Sequence, residues 1–121
     1  MSETRTLFVE TGDVEALVAA VGATFPDGVR VTRTPDSVEF EAPGRAVYVD
    51  LEDAALPPQV RAPATAVDVW DPTGGVSVPV EVAAELRAAG FPVVVNPQDP
   101  DLVAADRATA RRSALTTKAT S

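Results

Sequence analysis

From Val29 to Leu51 the chain alternates apolar and polar residues three times over, with turn formers at both breaks. No other stretch limits the fold as much. Val29-Arg30-Val31-Thr32-Arg33, Val38-Glu39-Phe40-Glu41-Ala42 and Arg45-Ala46-Val47-Tyr48-Val49-Asp50-Leu51 each carry the period of two that marks a half-buried strand. Thr34-Pro35-Asp36-Ser37 and Pro43-Gly44 separate them, and both are rich in residues that set turns. Folded as an antiparallel meander, the segment puts Val31 opposite Phe40, Val29 opposite Ala42, Phe40 opposite Val47 and Val38 opposite Val49 on one face. Arg30 meets Glu41 and Thr32 meets Glu39 on the other. A slip of one residue would move every valine into water, so burial of one face pins the register. Arg33 is the misfit, a cation on the apolar side, expected at the rim. Pro-Gly is a less usual two-residue hairpin loop than Asn-Gly, which leaves a longer loop with a shifted register as the alternative.

At 121 residues, 45% of them apolar, the chain is expected to form a single α+β domain over 1–115, with 116–121 a frayed tail. No apolar run approaches the roughly 20 residues of a membrane helix. The start, Met1-Ser2-Glu3-Thr4-Arg5, has no basic segment leading into an apolar one, so the expected location is cytoplasmic. There is neither Cys nor His. Disulfides, thiolate chemistry, the commonest zinc ligand and the usual partner of a Ser or Cys nucleophile are thereby removed.

The net charge of −8 argues against nucleic acid, whose binding depends on neutralising phosphates, and against an anionic membrane. It favours a basic protein partner. Abundant Ala and Val, with Arg far exceeding the single Lys118, are also what a GC-rich or salt-adapted bacterial genome produces. Charge alone therefore names no partner.

Along the chain, Thr6–Glu10 reads as a strand and Val14, Leu17, Val18, Val21 and Phe25 as the apolar stripe of a helix capped by Thr11 or Asp13. Residues 52–65, with three prolines and no periodicity, read as a surface excursion. Ala66–Trp70 reads as a strand. A second helix over 79–89 is expected to be capped by Ser77 at its start and Gly90 at its end. Pro92-Val93-Val94-Val95 is apolar throughout, which suits a strand covered on both sides and parallel pairing. Strand 66–70, helix 79–89 and strand 92–95 then resemble a right-handed βαβ unit. The same order, with a Phe-Pro pair at the matching place, recurs in 6–33. The fold expected is thus the meander of about 29–51 within a mixed sheet of five to six strands. Two main helices pack on it, a C-terminal helix over 101–114 is compatible with the pattern, and a ferredoxin-like element order is open.

No catalytic residue, metal ligand or cofactor site is expected. Gly74-Gly75 before a helix invites a phosphate, because helix N-termini bind anions. Without GxGxxG or a Walker lysine, and with Asp68 and Asp71 nearby, a turn is the plainer reading. Asp50, Glu52, Asp53, Asp68 and Asp71 match no calcium-loop spacing and read as solvated surface. The stronger candidate is a face. Tyr48, the single Tyr, shares the polar side of the meander with Glu39, Glu41 and Asp50. Trp70, the single Trp, shares a strand face with Asp68, with Asp71 next in the chain. Trp70 is core if the second helix covers that end of the sheet, and surface otherwise. Aromatic residues ringed by charge have the composition of protein-binding hot spots.

The function expected is therefore a non-catalytic, acidic protein-binding module, for which an immunity or antitoxin-type inhibitor of a basic protein is the concrete version. Its contact residues would be Glu39, Glu41, Tyr48, Asp50, Asp68, Trp70 and Asp71. A small-molecule sensor whose two halves form a ligand cleft or a homodimer is the alternative.

Overall fold

The computed structural model describes residues 4–52 and 55–120, with 113–120 as backbone. The elements run β1 (Thr4–Val9), α1 (Val14–Ala23), β2 (Arg30–Arg33), β3 (Ser37–Ala42), β4 (Arg45–Asp50), β5 (Thr65–Trp70), α2 (Ser77–Ala88), β6 (Val93–Val95) and α3 (Pro100–Thr120). The strands form one sheet in the order β2-β3-β4-β5-β1-β6, and every neighbouring pair is antiparallel.

The meander has the register its alternation predicts. Arg30 stands opposite Glu41, Val31 opposite Phe40, Thr32 opposite Glu39, Phe40 opposite Val47 and Val38 opposite Val49. The Pro43-Gly44 turn closes on the pair Ala42–Arg45, with Gly44 at φ 81°. A proline that fixes φ followed by a glycine free to take positive φ is what a tight turn of type II requires. Arg33 sits at the rim, as expected, and meets Glu15 of α1 at 3.0 Å.

The second half departs from expectation. The sheet is antiparallel throughout rather than mixed, and β6 pairs with β1, not with β5. β5 and β6 run the same way but lie astride β1. Three strands, by contrast, separate β1 from β2. The segments β1-α1-β2 and β5-α2-β6 are therefore not repeats of one another, since three strands part the ends of one and a single strand those of the other. The valine run was informative about cover rather than direction. Val93 and Val95 pack under the helices, and Val94 packs beneath the loop that follows β4.

All three helices lie on one face. Leu17 and Val21 of α1, Val82, Ala83 and Leu86 of α2, and Leu102 of α3 join Leu7, Val9, Val47, Val49, Val67 and Val69 in one core, each fully buried. The excursion after β4 covers part of the opposite face. Leu56, Val60 and Ala64 pack on Phe8, Ala66 and Val94.

Arginines tie the layers together. Arg45 bonds Glu81 at 3.0 Å and Glu85 at 2.9 Å on α2, and donates to the Thr24 carbonyl at the end of α1. Arg87 joins Asp106 of α3 to the Val93 carbonyl. Arg5 clasps both oxygens of Asp99 at 2.8 Å and donates to the Gly74 and Gly75 carbonyls. The backbone of α3 is helical through Thr120, and Ser121 lies outside the described residues. No helix among the described residues is long and apolar enough to cross a membrane.

Candidate functional site: the open face of the sheet

Because α2 packs against the side of β5 that carries Val67 and Val69, alternation sends Asp68 and Trp70 to the opposite side. The same rule turns Glu39 and Glu41 of β3, Ala46, Tyr48 and Asp50 of β4, and Thr4 and Thr6 of β1 outward. The loop 55–64 covers this face only over Phe8, Ala66 and Val94. Among the described residues the other end of the face stays open.

Two rows cross the open part. One runs Glu41–Ala46–Trp70–Thr4 and the next Glu39–Tyr48–Asp68–Thr6. Thr4, Glu41, Ala42, Ala46, Tyr48 and Trp70 line a hollow of about 400 Å³. Tyr48 and Trp70 are half-buried in it, while Glu41 is exposed. Asp68 is held in place by the Thr6 hydroxyl at 2.7 Å. Burial first, then the nearby Glu41 and Glu39 carboxylates, raise the Tyr48 phenol above its ordinary pKa, so it remains a neutral donor. The ion pairs of the described residues occupy Arg5, Arg33, Arg45 and Arg87, none of them on this face. Its carboxylates enter none of those ion pairs; Asp68 accepts from Thr6 and Glu39 from the Ser37 hydroxyl at 3.3 Å.

Five of the seven residues expected from sequence, Glu39, Glu41, Tyr48, Asp68 and Trp70, are thus brought together. Asp50 lies on the same face at the far end of β4, opposite Ser37, and accepts from the Glu52 backbone at 2.9 Å. Glu52 leans on Asp36, which together with Asp50 raises its carboxyl pKa. Asp71 is not brought to the face. It is 3% exposed, and one oxygen accepts from the backbone and hydroxyl of Thr73 while the other accepts from the Val78 N–H in the first turn of α2. The Thr73 hydroxyl is the main reason its carboxyl is held below the ordinary range.

Asp71 therefore performs the capping expected of Ser77, which is itself the first residue of the helix. Gly74 and Gly75 form a turn, with Gly74 at φ 73° and both carbonyls taken by Arg5. The N–H groups of Gly75 and Val78 donate to Thr73 and Asp71. Among the described residues no group of three or more carboxylates is placed to hold a metal ion; Asp53 lies outside them. Sequence reasoning missed Thr4, Ala42 and Ala46. A small residue on the outer side of a strand carries no signal by itself, and it becomes the floor of a hollow only once its neighbours are known.

Compared with family models, curated proteins and solved structures, the chain finds no match in any of the three. Its fold and site stand on its own residues.

Proposed function

We propose that this chain is a non-catalytic protein-binding module that takes a basic partner protein on the open face of its sheet, in the manner of an immunity or antitoxin-type inhibitor. The observation that supports the reading is the shared hollow. The single Tyr and the single Trp, neither used in the main core, line one concavity together with Glu41, which enters no ion pair among the described residues, and Glu39 and Asp68 lie in the next row. Half-buried aromatics supply contact area at low entropic cost, and an acidic rim steers a cationic partner and penalises anionic ones.

Capture from the source lysate with three proteins tests the proposal: wild type, Glu39→Lys/Glu41→Lys on the face, and Asp27→Lys/Asp101→Lys away from it. The expected result is a basic protein retained by wild type and by the control, and lost with the face variant. Equal retention by all three would remove the face from the reading.

A further inference from the structure

The hollow has a shape that its register explains. Glu41, Ala46 and Trp70 stand side by side on three neighbouring strands. Strands lie about 4.8 Å apart, so Glu41 and Trp70 rise from backbones about 10 Å apart. Ala46 between them lies at the base, 4% exposed beneath its neighbours. Tyr48, two residues further along β4, closes a third side.

We propose that this hollow seats a single arginine side chain of the basic partner, with its guanidinium between the Trp70 ring and the Glu41 carboxylate, a seat that presupposes the partner-binding reading above. Trp70 and Glu41 line the same hollow, so a cation seated in it has an aromatic ring and a carboxylate as neighbours, and a ring attracts a cation within roughly 6 Å of its centroid. The molecule already uses this combination elsewhere. Arg45 lies 5.8 Å over the Phe25 ring while pairing with Glu81 and Glu85. Glu41 enters none of the ion pairs of the described residues, although Arg30 stands opposite it on β2. A planar, weakly hydrated guanidinium stacks on a ring and meets a carboxylate at once, at a lower desolvation cost than an ammonium.

Trp70 emission reports on the seat directly. The probes are blocked tripeptides with arginine, lysine or citrulline at the centre, citrulline being the uncharged copy of arginine. The arginine peptide should give a saturable change. The lysine peptide should bind about threefold more weakly and the citrulline peptide not at all. Glu41→Gln should weaken the arginine peptide about threefold, and Ala46→Leu, which fills the floor without touching a charge, should abolish its binding. A citrulline response equal to that of arginine, or unchanged binding by Ala46→Leu and Glu41→Gln, would overturn the seat. An oligo-arginine peptide separates the two levels. If its binding survives Ala46→Leu but is lost in Glu39→Gln/Asp68→Asn, the face stands and the arginine seat falls. If it does not bind wild type at all, both fall.

Discussion

Asp71 and Tyr48 show how much a single position depends on what surrounds it. Asp71 follows directly on a strand whose polar residues face outward, yet the chain turns there and the carboxylate folds back over Thr73 and the start of α2. Asp71→Asn should cost about 1–3 kcal/mol of stability at neutral pH in denaturant unfolding, as a lost cap and a weakened buried acceptor. The pH dependence has a definite sign. The folded carboxyl sits below its ordinary 3.8, so the unfolded chain takes up the proton first. The contribution of Asp71 is therefore complete above that value and lost as pH falls through the depressed one, and the Asn variant should lack this loss. Tyr48 shifts the other way. With one Tyr in the chain, phenolate absorbance reports it alone, and its midpoint should lie above 10.0. Glu41→Gln should bring the midpoint down. A midpoint at or below 10.0 would mean that the phenol is neither sheltered nor flanked by charge.

At the scale of elements, the loop 55–64 does the work that a second helical layer would do in an α/β sheet. Val60, 7% exposed, anchors it on Phe8 and Ala66. Val60→Ala should destabilise the fold by about 1–2 kcal/mol and raise amide exchange across 55–64. Unchanged stability and exchange would deny the loop its role as cover. The meander could be read from the chain because alternation, two turns and one buried face together permit a single register. Strand order could not. Alternation fixes which side a residue faces, but not which strand lies alongside, so nothing in Val93-Val94-Val95 tells a parallel neighbour from β1 running the opposite way. The candidate face was legible for the same reason as the meander. Glu39, Glu41, Tyr48, Asp68 and Trp70 all obey parity within their strands, whereas Asp71 lies just beyond the end of one. Whether Trp70 was core depended on which face α2 chose, a tertiary fact that pairing alone leaves open.

At the scale of the whole molecule, charge is sorted by side. The partly buried arginines Arg5 and Arg45 work on the helix side and at the rim, where they stitch helices, loop and sheet together. With a net charge of −8, the open face keeps Glu39, Glu41, Asp50 and Asp68, with Arg30 as its one cation among the described residues. The central claim is that this face presents an open, negative, aromatic-lined hollow to a cationic partner. Because the chain has one Trp, and it lines that hollow, collisional quenching of its emission tests the claim without knowing the partner. With each ion's quenching constant taken relative to that for free N-acetyltryptophanamide, caesium should quench Trp70 more strongly than iodide at equal ionic strength, and Glu41→Gln/Asp68→Asn should reduce the difference. Iodide quenching as strong as caesium, or an emission that neither ion reaches, would contradict it.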